Sequence, residues 1–289
     1  MYLEYKPPFL YDAMLRFLAG RAIPGVELVT ETEYLRTVRL NKTGSDCATG
    51  WIRVEHVPQK NALSLTVSES LAADLPQVSA RIRHLFDLDC EPQIISAALE
   101  TMNEIRPDLC VPGTRLPGCF DAFEMVVRAV LGQQITVKAA TTLAGRFVST
   151  FGKPLECDVE GLSHVFPRPE EIVALEGPVE THLGPLGVIS TRARTIGSLA
   201  QTFTDGSVDY DRPDNPETEI EKLLTIRGIG PWTARYIAMR TMGWTDAFLE
   251  TDAGIKKALS PLTPKEMLSL AKQWKPWRSY ATVNLWNSL

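Results

Sequence analysis

Residues 223–252 read LLTIRGIGPWTARYIAMRTMGWTDAFLETD, and this stretch decides how the C-terminal part of the chain is expected to fold. Two glycines, Gly228 and Gly230, flank one apolar residue between two helical segments. Pro231 suits the first turn of the second helix, because the N–H that proline lacks has no partner there anyway. Glycines in such a turn allow a positive φ and a close approach of the backbone to a ligand. Because free N–H groups at a helix start bind anions, the stretch predicts a helix-hairpin-helix that grips a nucleic-acid phosphate.

The composition is typical of a soluble globular protein with two or three small domains. The 289 residues are 44% hydrophobic and 22% charged. No apolar run reaches the ~18 residues of a membrane span. The first ten residues, MYLEYKPPFL, lack a basic region followed by an apolar core, so we expect no secretory signal and a cytoplasmic protein. A net charge of −5 argues against a general nucleic-acid coat protein, yet it allows an enzyme with a small local DNA footprint.

The cysteines and histidines do not predict a metal site or a disulfide framework. Five cysteines form an odd, scattered set with no CxxC motif, and we expect them to be reduced thiols. They are Cys47, Cys90, Cys110, Cys119 and Cys157. The four histidines show no metal-ligand spacing.

Hydrophobic periodicity predicts an α+β fold. Between residues 26 and 68 apolar residues alternate as in half-buried strands, with turns at Gly44-Ser45 and 58–61. Residues 71–86 have helical spacing, with Ser68 or Ser70 as a cap. We therefore predict a small N-terminal antiparallel sheet domain with helices over 1–88. All-α subdomains follow over 89–289, with the helix-hairpin-helix at about 217–242.

Four further motifs resemble segments of one enzyme family. They are RHLFDL (83–88), LPGCFDAFE (116–124), RAVLGQ (128–133) and WKPWRSY (274–280). With the hairpin and the carboxylate that follows it, they are similar, in order and over nearly the whole chain, to the bacterial 3-methyladenine DNA glycosylase II (AlkA) branch. This branch belongs to the helix-hairpin-helix DNA glycosylase superfamily. The resemblance implies that the all-α part consists of helix-hairpin-helix glycosylase subdomains.

Asp252 is the predicted catalytic residue. The residues alone leave it as either a catalytic carboxylate or the N-cap of a helix over 253–259, and Asp246 and Glu250 are nearby alternatives. The resemblance aligns Asp252 with the family's catalytic aspartate. Such a carboxylate stabilises the positive charge that builds on the sugar in an oxocarbenium-like transition state.

Four aromatic residues match the base pocket of the family. They are Phe17, Trp232, Tyr236 and Trp286. Their rings would attract a cationic alkylated purine by cation–π interaction, at ~0.5–2 kcal/mol per contact. Trp232 stands where relatives that also cut the backbone have a Schiff-base lysine. The resemblance therefore implies a monofunctional enzyme that leaves an abasic site; without it, the alternative for Trp232 is a core-packing residue.

The predicted DNA-binding residues are Gln134, Gly228, Gly230 and Thr233. Gln134 occupies the position of a leucine wedge in the best-known relative. Extracting a nucleotide requires a group to fill the gap in the base stack, and an amide could also hydrogen-bond the orphan base. The alternative is a polar loop residue. Ala253 replaces a pocket tyrosine of that relative, so we expect a roomier pocket there.

Two cofactors known in the family receive different predictions. No cysteine follows Cys157, so the C-terminal iron–sulfur cluster of some relatives is excluded. The resemblance allows a structural monovalent cation on the backbone carbonyls of Leu224, Ile226 and Gly228. We expect no other cofactor.

The sequence thus predicts a monofunctional DNA glycosylase that flips alkylated purines, of the 3-methyladenine and 7-methylguanine type, from damaged double-stranded DNA. We expect a monomer that does not bind membranes. Ala253 and Gln134 keep open a glycosylase for another lesion class, such as an oxidised or deaminated base. A non-catalytic helix-hairpin-helix DNA-binding protein is a further alternative, against which Asp252 argues.

Overall fold

The computed structural model describes residues 1–41, 47–211 and 213–289, and it contains the predicted N-terminal antiparallel sheet. The strands are β1 (Tyr2–Glu4), β2 (Glu27–Val29), β3 (Glu33–Asn41), β4 (Cys47–Val57) and β5 (Ala62–Val67). They lie in the order β1-β5-β4-β3-β2, and all neighbours are antiparallel. Strand β1 is too short to show alternation in the sequence. The predicted turn at Gly44-Ser45 lies outside the described residues.

Two helices cover one face of this sheet. Alternate residues of β4, including Ile52 and Val54, are buried against α1 (Tyr11–Ala19) and α2 (Leu75–Leu85). The predicted helix over 71–86 begins later, because residues Glu69–Asp74 form a 3-10 turn. Ser68 occupies the N-cap position of this turn, but its side chain does not cap it: the hydroxyl accepts a hydrogen bond from the Trp51 N–H of β4 (3.1 Å) and so joins the turn to the sheet.

The rest of the chain is mainly helical. Its helices are α3 (Pro92–Ala98), α4 (Met102–Ile105), α5 (Ala122–Leu131), α6 (Val137–Phe151), α7 (Pro169–Val173), α8 (Val179–Leu183), α9 (Ser190–Asp205), α10 (Pro216–Leu224), α11 (Pro231–Thr241), α12 (Ala253–Ala258), α13 (Pro264–Leu270) and α14 (Arg278–Asn287). The all-α prediction needs one correction. A two-stranded ladder joins β6 (Lys153–Pro154) to β7 (His164–Val165), with too few residues to be visible as periodicity.

Helix α11 lies between two helical cores. Ala234, Ile237 and Ala238 pack into a core shared with α5, α6 and α9, whereas Met239 packs into a second core with α14. Tyr236 contacts both cores from its partly exposed position. Within the described parts of the chain, the helices fall short of the length and apolarity that crossing a membrane would require.

Candidate active site

The predicted hairpin connects α10 to α11, and its two glycines have different structural roles. Gly228 has φ +96°, and a Cβ there would lie 2.1 Å from the Thr195 hydroxyl of α9. That hydroxyl donates to the Arg227 carbonyl (2.9 Å), so the turn is held tightly against α9. Gly230 is the N-cap of α11, and a Cβ there would meet no described atom within 4 Å. Gly228 therefore fixes the turn, whereas Gly230 leaves its outer side open.

A cavity of about 1100 Å³ runs from this hairpin to α12 and α14. Ligand pockets usually measure roughly 300–1,000 Å³, so this cavity has room for more than a base. Its lining includes Gln134, Gly228, Gly230, Trp232, Asp252, Ala253 and Trp286. The hairpin, the predicted wedge and the predicted catalytic carboxylate thus open into one space.

Asp252 is the N-cap of α12, and its carboxylate accepts four hydrogen bonds. Its Oδ1 accepts from the backbone N–H groups of Gly254 (2.9 Å) and Ile255 (3.1 Å). The same oxygen accepts from the indole N–H of Trp286 (3.0 Å), and Oδ2 accepts from that of Trp232 (3.2 Å). The capping alternative is confirmed, and it is compatible with catalysis. The four donors fix the direction of the carboxylate at the cavity wall.

The two alternative carboxylates are engaged elsewhere. Asp246 accepts two hydrogen bonds from the Arg278 guanidinium of α14 (2.6 and 2.7 Å). Glu250 forms an ion pair with Arg235 of α11 (2.9 Å). Among the described residues that line the cavity, neither of these acids occurs, whereas Asp252 does. Asp252 is therefore the carboxylate of the three that is available to a molecule in the cavity.

Three of the four predicted pocket aromatics, Trp232, Tyr236 and Trp286, line the cavity. Trp232 and Tyr236 are one helical turn apart on α11 and stack at 5.0 Å between ring centroids. Tyr236 also meets Trp286 edge-on at 6.3 Å. Phe17 differs from the prediction: it is 8% exposed and is not among the described lining residues. It stacks on Trp286 at 6.3 Å, so it supports the cavity wall and does not itself face the cavity.

Three arginines, Arg21, Arg128 and Arg240, also line the cavity, and the sequence had not predicted them as pocket residues. Arg128 is held from both sides by acids, with Glu27 at 2.9 Å and Glu124 at 3.0 Å. Arg36 of β3 completes this buried cluster through Glu124 (2.6 Å). The cluster joins the sheet domain to α5. Its positive and negative charges alternate, and this pairing offsets the free-energy cost of burying them.

The turn between α5 and α6 presents the predicted wedge. Gln134 is exposed and has φ +56°, a left-handed conformation that non-glycine residues seldom adopt. Its neighbour Gln133 donates its amide hydrogens to the Gly228 carbonyl (3.0 Å) and the Thr233 hydroxyl (3.1 Å). Arg192 of α9 donates to the Gln133 carbonyl. Gln133 thus fixes the position of Gln134 relative to the hairpin.

Thr233 and two carbonyls of the predicted cation site have hydrogen-bond partners within the protein. Thr233 is 4% exposed and holds Gln133, because α11 turns its hydroxyl inward. The Gly228 carbonyl accepts from Gln133 and the Ile226 carbonyl accepts from the Ile229 N–H (3.0 Å). Each of these oxygens keeps a second lone pair, so a monovalent cation on the carbonyls of Leu224, Ile226 and Gly228 stays a prediction.

The sequence contained a signal for one of the missed residues. Arg240 stands in the run IAMRTM (237–242), where it is the one charged residue of an otherwise apolar or hydroxylic segment. A charge at such a position is expected to be buried, and a buried charge is costly unless it is paired or hydrogen-bonded. Gln133 gave no comparable signal, because its partners lie 95 and 100 residues away.

Comparison with protein families agrees with this arrangement. Residues 1–121 match the family described as the AlkA N-terminal domain. Residues 127–274 match the HhH-GPD superfamily base excision DNA repair protein family. The chain is 35% identical over 288 residues to DNA-3-methyladenine glycosylase 2 of Escherichia coli (strain K12), covering 98% of this chain and 95% of that protein.

A longer relative and two solved structures extend the comparison. The probable bifunctional transcriptional activator/DNA repair enzyme AlkA of Mycobacterium tuberculosis is 36% identical over 292 residues, which span 99% of this chain but 56% of that protein. The 3-methyladenine DNA-glycosylase of Archaeoglobus fulgidus shares the fold, with a TM-score of 0.81, 18% identity and coverage of 99% and 97% of the two chains. A Clostridium acetobutylicum 8-oxoguanine glycosylase/lyase in complex with double-stranded DNA also shares it, with a TM-score of 0.71, 16% identity and coverage of 97% and 91%.

Proposed function

This chain belongs to the AlkA branch of the HhH-GPD superfamily of base excision DNA repair proteins, and we propose that it is a monofunctional DNA glycosylase for alkylated purines. The observation that carries the proposal is the position of Asp252. This carboxylate is oriented by four hydrogen-bond donors at the wall of a cavity that begins at a DNA-type hairpin.

The cavity receives the flipped base, and Asp252 faces its sugar. As the N-glycosidic bond breaks, positive charge develops on the sugar, and a fixed anion beside C1′ lowers the energy of that transition state. Water adds to C1′, and an abasic strand remains. Trp232, at the position of the Schiff-base lysine of bifunctional relatives, has no amine that could form an imine.

The hairpin and the α5–α6 turn bind the DNA on either side of the base. The exposed backbone at Gly228 and Gly230, with the N-terminus of α11, suits a phosphate. Gln134 fills the space that the nucleotide leaves in the duplex. Its strained, exposed conformation supports this role, because such strain persists where the surroundings impose it. Gln133 holds the hairpin and Gln134 in a fixed position relative to each other.

A single-turnover excision assay tests the proposal. Duplexes with 3-methyladenine, 7-methylguanine or 8-oxoguanine are incubated with excess enzyme, and released bases and strand breaks are measured separately. We expect release of the two alkylated bases, intact abasic strands, and no enzyme–DNA adduct after borohydride treatment. A glycosylase/lyase such as that of Clostridium acetobutylicum is the positive control for trapping. Release of 8-oxoguanine alone, or efficient trapping, would contradict the proposal.

A further inference from the structure

Arg240 is a buried cation for which the described residues provide no acidic partner. It is 4% exposed, and its guanidinium donates to the carbonyls of Pro117 (2.6 Å) and Gly118 (2.9 Å) and to the hydroxyl of Tyr236 (2.7 Å). None of the ion pairs found between described residues includes it. A buried charge without a counter-ion costs free energy, so its persistence indicates a function.

Arg21 adds a second positive charge at the same place. Its guanidinium lies over the Phe17 ring (3.8 Å to the centroid), donates to the Phe17 carbonyl (3.2 Å) and interacts with the Tyr236 hydroxyl. Those same ion pairs do not include Arg21 either. Burial lowers the pKa of Arg21, and the neighbouring charges of Arg240 and Arg128 lower it further.

The arginines around Tyr236 leave its hydroxyl hydrogen free to point into the cavity. Arginine has donors but no acceptor, so the Tyr236 oxygen must accept from Arg240. For the same reason, the hydroxyl hydrogen cannot bind either guanidinium. Among the described residues no acceptor is found for it, and Tyr236 lines the cavity. The hydroxyl is therefore a donor available to a molecule in the cavity.

We propose that the Tyr236 hydroxyl, polarised by Arg240 and Arg21, donates a hydrogen bond to an acceptor atom of the flipped base and stabilises the electron pair that the base takes as it leaves. The inference rests on the proposed glycosylase function. In this role Arg240 is a positioning residue, and Tyr236 is the group that touches the base.

The charge balance of the reaction explains why a donor belongs there. When the C1′–N bond breaks, its electron pair goes to the base, so the base becomes more negative by one unit and the sugar more positive by one. The cavity has a carboxylate at the sugar and two cations behind the base, so its field favours this displacement. The hydroxyl keeps its proton, and the departing base gains only a hydrogen bond.

The effect depends on the lesion. A cationic base such as 7-methylguanine leaves as a neutral molecule and needs little help, whereas a neutral base such as hypoxanthine leaves with negative charge. The positive charges of Arg240, Arg21 and Arg128 also outweigh the effect of burial, which would raise the pKa of Tyr236, and hold that pKa below its usual value of 10.0. The hydroxyl is therefore a stronger donor than an ordinary tyrosine.

Tyr236→Phe tests the inference, because it keeps the ring that stacks on Trp232 and removes only the hydroxyl. Single-turnover excision is measured on duplexes with 7-methylguanine or hypoxanthine, each opposite cytosine. We expect hypoxanthine release to slow about 100-fold, as for loss of one oxyanion donor, and 7-methylguanine release to slow about threefold. Arg240→Lys keeps the charge but loses the forked geometry, and should slow hypoxanthine release about tenfold.

Tyr210→Phe is the matched control, because it removes a tyrosine hydroxyl that is bonded to Thr202 (2.8 Å) away from the cavity. It should change neither rate. Equal losses on both lesions, or no loss, in Tyr236→Phe would overturn the inference. Wild-type release of hypoxanthine at the uncatalysed rate would also overturn it. Wild-type failure on 7-methylguanine would instead refute the proposed function.

Discussion

Replacing Asp252 with asparagine removes one charge while keeping most of the local structure. The asparagine carbonyl can take the position of Oδ1, which accepts from Gly254, Ile255 and Trp286. Its NH₂ group then takes the position of Oδ2 and faces the Trp232 indole N–H, so two donors oppose each other. The opposite rotamer would place the NH₂ against three donors and is worse.

These contacts allow the two effects of Asp252→Asn to be estimated separately. Asparagine caps a helix about as well as aspartate, so the main folding cost is one unpaired indole N–H, ~1 kcal/mol of unfolding free energy. The loss of a fixed charge next to an oxocarbenium centre costs at least ~3 kcal/mol of barrier, roughly a hundredfold in rate. Excision should therefore fall far more than stability.

Excision by Asp252→Asn is measured in single-turnover assays on 7-methylguanine duplex, with thermal unfolding and abasic-DNA binding in parallel. Asp246→Asn is the matched control, because it removes a nearby carboxylate that pairs with Arg278 outside the cavity lining. We expect the control to excise at the wild-type rate per folded molecule and both variants to bind abasic DNA. If the two variants excise equally fast, Asp252 does not act on the sugar.

Three further predictions use other features of the chain. Gln134→Gly should raise the unfolding free energy by about 0.5 kcal/mol, because removing the strain of the left-handed conformation gains more than the added entropy of glycine in the unfolded chain costs. The same variant should bind abasic duplex ~1–3 kcal/mol more weakly in a titration, because the gap in the base stack is left unfilled. Gly228→Ala should destabilise the protein by at least ~2 kcal/mol in thermal unfolding. Gly230→Ala should fold normally and bind DNA about tenfold more weakly, and identical behaviour of the two alanine variants would refute the separate roles. Burial raises the pKa of Asp87 to about 6, so the folded state binds more protons than the unfolded one between pH 4 and 6. Stability should fall by about 2 kcal/mol as pH rises through this window, and denaturation of Asp87→Asn should lack this dependence.

The parts of the site that could be predicted depend on neighbours in sequence. Gly228, Gly230 and Pro231 specify a hairpin because each acts through its own backbone conformation. Asp252 caps α12 through N–H groups two and three residues away. Strand alternation around Ile52 and Val54 depends on the pleat alone. In each case the deciding interaction spans only a few residues, so the sequence displays it.

The parts that could not be predicted depend on distant contacts. The indole of Trp286 reaches Asp252 across 34 residues, and Gln133 reaches the hairpin across 95. Phe17 shows the limit of a resemblance: it matches a pocket position, yet its ring is not in the cavity lining, and Arg21, Arg240 and Trp286 pack against it. Such arrangements follow from how the cores pack, so they cannot be predicted from local sequence patterns.

Helix α11 carries residues from each part of the proposed site. Its N-terminus is the proposed phosphate site, Trp232 in its first turn donates a hydrogen bond to Asp252, and Tyr236 and Arg240 follow at intervals of four residues. At 1.5 Å per residue, the helix spaces Trp232 and Arg240 by ~12 Å along its axis. Because a buried helix moves as a unit, a phosphate that shifts the hairpin also shifts the groups at the sugar and at the base. We therefore expect binding of the DNA backbone and alignment of the reacting groups to be coupled through the rigidity of this helix.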